Sequence, residues 1–102
     1  MKVFTQSVNF TADKGLIEYI EKKIEGLEKF HDKIVDVEVF LKVQKTSEKE
    51  NKITEIKINI PGNEIMVKKQ NKTFEEGVNV AVDSLKRSLK KSKEKQRDSL
   101  VS

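Results

Sequence analysis

Val35-Asp36-Val37-Glu38-Val39-Phe40-Leu41-Lys42-Val43-Gln44 is the stretch on which the fold turns. Val35, Val37, Val39, Leu41 and Val43 alternate strictly with Asp36, Glu38, Phe40, Lys42 and Gln44. Successive side chains of a strand point to opposite faces, so this pattern describes a strand with one buried and one open face. A sheet that is wet on one side needs helices on the other, and the neighbouring sequence supplies them.

Toward the C-terminus, Lys45–Asn51 is a polar loop, and Thr54–Ile60 is a second alternating run with Ile56, Ile58 and Ile60 inward. Pro61-Gly62-Asn63 is a turn signal. Ile65 and Val67 then mark a strand ending near Lys69, so a hairpin is expected. Thr73 is the expected N-cap of a final helix, with Glu75 and Glu76 in its first turn. Phe74, Val78, Ala81, Val82, Leu85 and Leu89 fall within an arc of about 100° on that helix. Gly77 interrupts its first turns, at about 1 kcal/mol relative to alanine. Beyond Leu89 the apolar stripe stops, and a basic extension is expected to continue and fray.

Toward the N-terminus, Leu16, Ile17, Ile20, Ile24, Leu27 and Phe30 recur at helical spacing, giving an amphipathic helix that ends near Lys29. Thr11 is the expected N-cap, and Asp13 complements the dipole. Lys2–Phe10 reads as a strand in which Phe4, Val8 and Phe10 share one parity, with Gln6 the polar exception. The element order is therefore β-α-β-β-β-α. The expected fold is α+β, a four-stranded sheet with two helices packed on one face, like double-stranded-RNA-binding domains. The first two strands, joined through a helix, should be parallel neighbours with a right-handed crossover. Residues 1–97 are expected to form a single domain and 98–102 a disordered tail.

The chain has 102 residues, of which 37% are charged and 35% hydrophobic. The periodicity of the apolar residues argues against disorder despite that polarity. There is no cysteine, which excludes disulfides, thiolate chemistry and thiolate zinc sites. Met1–Phe10 lacks the apolar run of a signal peptide or spanning helix, so a cytoplasmic location is expected, with no membrane partner.

The net charge of +4 is modest, but its distribution is polarised. Lys86 to Arg97 contains seven basic residues and one acidic one, whereas Glu18, Glu21, Glu25 and Glu28 cluster on the first helix. Lys86, Lys90, Lys93 and Arg97 share one flank of the last helix, and Arg87 and Lys91 fall on its back. Cations at this spacing can track a phosphate backbone. The bland alternative is a solvated helix end, where the dipole favours cations anyway. On the first helix Lys22, Lys23 and Lys29 form a basic flank. They could serve only in ion pairs such as Glu18–Lys22 and Glu25–Lys29. If the helices lie side by side, that flank would face the groove beside the last helix and make a two-helix basic face. Lys68, Lys69 and Lys72 add charge at the junction into it.

Enzyme chemistry is poorly supplied. The single histidine, His31, beside Asp32, fits a helix cap better than a base or ligand. There is no Gly-rich phosphate loop and no HExxH. Phe40 and Met66 could stack a base from the open face, though strand aromatics more often pack against neighbours. No catalytic residue, metal, cofactor or small-molecule substrate is expected.

Several segments together resemble the short ribosome hibernation-promoting factors, the family that includes ribosome-associated inhibitor A. They are Leu27-Glu28-Lys29-Phe30 leading to Asp32-Lys33-Ile34, then Val39-Phe40-Leu41-Lys42-Val43, and above all Val82-Asp83-Ser84-Leu85-Lys86-Arg87-Ser88-Leu89-Lys90-Lys91-Ser92-Lys93-Glu94-Lys95. The resemblance covers nearly the whole chain and includes the element order. The chain departs from the family pattern at Gly77 and Asn79, at Gln6-Ser7, and at His31, which stands in place of an aromatic. The resemblance implies binding to the small ribosomal subunit, and to the intact ribosome, in the channel used by messenger and transfer RNA, silencing idle ribosomes under stress. It implies that Arg87, Lys90, Lys91, Lys93 and Lys95, with Lys86 beside them, contact ribosomal RNA; Lys22, Lys23 and Lys29 are secondary candidates. Longer relatives carry a C-terminal domain that pairs ribosomes, so the resemblance implies that with this chain pairing either needs a second factor or does not occur.

Two other readings fit the residues. A general double-stranded-RNA or RNA-chaperone module would bind any RNA duplex. A protein-interaction module would dimerise through the open sheet face, which Asp36, Glu38, Lys42, Lys57 and Asn59 make too polar for a dry interface.

Overall fold

The computed structural model describes the backbone of residues 1–101 and the side chains of residues 1–94. The strands are β1 (Lys2–Val8), β2 (Asp36–Val43), β3 (Lys52–Ile60) and β4 (Asn63–Asn71). The helices are α1 (Lys14–Glu25), continued by one 3-10 segment over Gly26–Lys29, and α2 (Phe74–Val101). The sheet order is β1-β2-β3-β4, with β1 parallel to β2 and the other pairs antiparallel. This is the expected α+β architecture. The backbone of α2 enters the segment 98–102 expected as a tail; the side chains there, and Ser102 altogether, lie outside the described residues.

The alternation in β2 does what the sequence requires. Val37, Val39 and Leu41 are buried, while Asp36, Glu38 and Phe40 are only partly covered and Lys42 is exposed. β3 adds Thr54, Ile56, Ile58 and Ile60 to the inner face, and α1 and α2 close it with Ile20, Ile24, Leu27 and the whole predicted stripe from Phe74 to Leu89. Burying one such aliphatic side chain is worth about 1.5–3 kcal/mol, so this shared core holds both helices on one face.

β1 corrects two expectations. It ends at Val8, and its inward residues are Val3, Thr5 and Ser7, whereas Phe4 is 54% exposed on the open face. The register sets this: Thr5 pairs with inward Val39 and Phe4 with outward Glu38. Asn9 then adopts φ 69°, which breaks the strand and brings Phe10 round to stack on Phe74, ring centroids 4.8 Å apart. Phe4 and Phe10 therefore belong to different faces. The N-cap of α1 is also not Thr11 but Asp13, whose carboxylate accepts the Leu16 N–H at 2.7 Å. The expected cap of α2 is present: Thr73 Oγ1 accepts the Glu76 N–H at 3.2 Å.

Gly77 has a packing reason. A Cβ there would lie 2.5 Å from Thr54 Oγ1 and 3.2 Å from Thr54 Cβ, so α2 crosses β3 at a distance only glycine permits. Gly62, at φ 76°, occupies the left-handed position of the β3–β4 turn.

Candidate nucleic-acid interface

α1 and α2 lie side by side, and their outer seam is a groove of about 440 Å³. Lys22, Lys23, Gly26, Lys29 and Phe30 line one wall, and Asn79, Val82, Asp83 and Lys86 the other. The buried residues explain this placement. Ile20, Ile24 and Leu27 anchor α1 and the segment after it, while Val78, Val82 and Leu85 anchor α2. Lysines offset from those stripes are left pointing along the seam. Tyr19 ties the two helices at its near end, its hydroxyl donating to Asn79 Oδ1 at 2.7 Å.

A second depression continues the seam past Phe30, lined by Lys29, Lys90, Lys93 and Glu94. Phe30 and Lys29 thus form the ridge between two basic hollows. The ammonium groups of Lys86 and Lys90 lie over the Phe30 ring, 5.6 and 5.1 Å from its centroid. Lys23 similarly covers Tyr19 at 5.7 Å. Arg87 and Lys91 occupy the outer side of α2, in a third depression with Ser84, Ser88, Lys90 and Glu94.

The structure therefore brings Lys22, Lys23, Lys29, Lys86, Lys90 and Lys93 together along one seam, with Arg87 and Lys91 around the shoulder of α2. The side chains of Lys95 and Arg97 lie outside the described residues. Lys68 and Lys72 do not join this face. Lys68 stands opposite Glu55 in the register of β3 and β4, and Lys72 borders a separate hollow with Glu50 and Glu76.

The electrostatics of the seam differ from the bland expectation. The pairs Glu18–Lys22 and Glu25–Lys29 are not formed; Glu18 meets Lys14 instead, at 3.9 Å. Among the described residues no carboxylate lies within ion-pair distance of the lysines of the seam or of Arg87 and Lys91. An array of unneutralised cations repels itself and attracts a polyanion.

Residues outside the basic set also shape the site. Phe30, the last member of the apolar stripe of the first helix, lines the groove, as do Asn79, given only as a departure from the family pattern, and Asp83, part of the segment that carries the resemblance. The pairing of Phe30 with lysines 56 and 60 positions further along the chain leaves no local trace. His31 is not a helix cap. It is 1% exposed, and its Nδ1 accepts the Lys33 N–H at 3.1 Å, fixing the turn into β2. No cluster of three or more potential metal ligands occurs among the described residues, and no described helix is long and apolar enough to cross a membrane.

Fold and groove together define a small α+β domain with one cationic helical face. Residues 3–97 match the family described as sigma 54 modulation protein / S30EA ribosomal protein, and the chain belongs to that family. A ribosome hibernation promoting factor from Pseudomonas putida is 31% identical over 100 residues, spanning 98% of this chain and 94% of that protein. One from Azotobacter vinelandii is 32% identical over 82 residues, 80% of this chain and 73% of that one. The fold is shared with a ribosomal subunit interface protein from Coxiella burnetii, with TM-score 0.80 at 20% identity over 91% of this chain and 98% of the other.

Proposed function

We propose that this protein is a ribosome hibernation factor. It binds the small ribosomal subunit in the channel used by messenger and transfer RNA and so inhibits translation on idle ribosomes in the cytoplasm. The binding is stoichiometric and involves no catalysis. The observation that carries the reading is the convergence of six lysines from α1, the segment after it and α2 on one seam, outnumbering Asp83 and Glu94 there and with no carboxylate in ion-pair distance among the described residues. The naming of the full-length relatives as hibernation factors supports it.

Lys86, Arg87, Lys90, Lys91, Lys93 and Lys95 neutralise backbone phosphates in this reading, with Lys22, Lys23 and Lys29 gripping from the other wall. Folded RNA is recognised mainly through backbone and shape, which suits a rigid two-helix groove better than a flexible tail. The test is co-sedimentation with small subunits and intact ribosomes, with an unrelated RNA duplex as competitor. Stoichiometric binding that resists the duplex is expected. Binding that the duplex removes would replace this reading with a general duplex-RNA module, and no binding at low salt would overturn any RNA role.

A further inference from the structure

We infer that Phe30 is a stacking platform for one unpaired nucleotide of the bound RNA, with Lys86 and Lys90 holding the phosphates that flank it. This rests on the ribosomal RNA reading of the groove and adds to it a specific contact that no basic residue can make.

Position is the first reason. Phe30 is the ridge shared by the two basic hollows of the seam, so a strand laid along the seam must cross its ring. Company is the second. The side chain is partly buried against the core, which fixes the ring, yet its remaining surface carries two ammonium groups at 5.6 and 5.1 Å. A cation over an exposed ring is held weakly, and an arriving phosphate competes for it with a full negative charge. The lysines therefore act as a polar cover in the free protein. Drawn aside onto phosphates, they would uncover an aromatic face between two anion sites. Spacing is the third. Residues four apart on a helix are separated by about 6 Å along its axis, so Lys86 and Lys90 can reach phosphates on either side of one nucleotide.

Phe4, the phenylalanine with most exposed surface, lacks these features. Phe4 stands opposite Glu38 in the register of the open sheet face. Glu38 directly opposite Phe4 repels a phosphodiester, whereas the hollows beside Phe30 carry six lysines against Asp83 and Glu94, a net positive surround that attracts one. Stacking of this kind is tolerant of base identity but requires an unstacked base, so it favours single-stranded or bulged RNA over a regular duplex.

Three variants of the full chain test the inference against small ribosomal subunits. Phe30→Leu keeps an apolar side chain on the core but offers no π face. Its affinity should fall roughly tenfold to a hundredfold, with the salt dependence unchanged because no phosphate contact is lost. Lys90→Gln should weaken binding and also lower the salt slope by about one. Phe30→Trp should retain affinity, and because the native chain has no tryptophan it supplies a clean emission signal. That emission should be quenched by deproteinised small-subunit ribosomal RNA and much less by a blunt RNA duplex. Wild-type affinity in Phe30→Leu, or a reduced salt slope in it, would overturn stacking; the second result would make Phe30 only a support for its lysines. Unquenched emission from a Phe30→Trp protein that still co-sediments would overturn it equally. Failure of the wild-type protein to bind small subunits would instead remove the ribosomal reading itself.

Discussion

Lysines on the two faces of this molecule keep different company. On the open sheet face Lys57 sits between Glu38 and Glu64, at 3.6 and 3.2 Å, and Asn59 donates to Asp36 and Glu38. On the helical face Lys86 and Lys90 lie over the Phe30 ring and Lys23 over Tyr19, and although Asp83 and Glu94 border the same hollows, no carboxylate is in ion-pair range of these lysines among the described residues. Both faces are charged, but one is internally neutralised and the other is not. The difference teaches where a partner is needed: a closed network of paired charges gains little from an incoming anion, whereas an array of like charges is relieved by one.

The comparison is broken most directly by charge reversal. Arg87→Glu with Lys91→Glu should leave a folded protein that no longer co-sediments with ribosomes. Lys57→Glu on the opposite face should leave binding within a factor of about two, the behaviour of a charge remote from the contact. Equal losses from both variants would sink the assignment of one binding face. The next largest effect is ionic. With about six phosphate contacts, affinity should fall on the order of 10³-fold between 50 and 200 mM salt, less if the single-strand slope applies. A titration that is flat in salt would mean the unpaired lysines are not the grip.

Stability should be separable from binding. Gly77→Ala gains helix propensity but drives a methyl group into Thr54, so a net loss of about 1–3 kcal/mol is expected in thermal unfolding. Adding Thr54→Ala should recover much of it, a coupling typical of residues in contact. Neither change should alter the salt slope of the folded protein. The smallest effect belongs to Lys57→Met, because exposed ion pairs contribute little. The hydrogen bond and charge of Glu64, with Glu38 behind it, hold the Lys57 ammonium above its ordinary 10.5. A raised lysine value means that whatever the network contributes is fully present below 10.5 and is lost as pH rises through the raised value. Wild type and Lys57→Met should therefore differ by the same small amount from neutral to mildly alkaline pH and converge only above that range.

The parts legible in the sequence were those with strong contrast between neighbouring positions. In β2 apolar residues alternate with polar ones, and Val37, Val39 and Leu41 are buried as read, but Val35 precedes the strand and is 57% exposed, because the pairing that would cover it begins at Asp36; the six apolar residues on one arc of α2 are all buried. β1 misled because hydrophobicity there runs against orientation. As an edge strand it turns Val3, Thr5 and Ser7 inward and leaves Phe4 outside, and only the pairing with β2 reveals this. Of the site, the cationic residues were visible as charge, but the seam they share depends on how two helices pack. Phe30 carried no mark of its role, since its relation to Lys86 and Lys90 exists only in the folded chain. Gly77 looked like a weakness in a helix until Thr54 was found beneath it.

α2, made after all four strands and α1, is the element that completes the core. Phe74 through Leu89 supply the covering layer for an inner sheet face that the preceding strands cannot bury by themselves. At roughly 5–20 residues per second, synthesis presents β1 and α1 several seconds before α2 exists. During that interval the isoleucines of β3 have no lid, and the lysines of α1 have no opposite wall. Folding of this chain is thus timed by its own C-terminal third, and the groove that would take hold of a ribosome cannot form until that final helix has emerged from the ribosome that is making it.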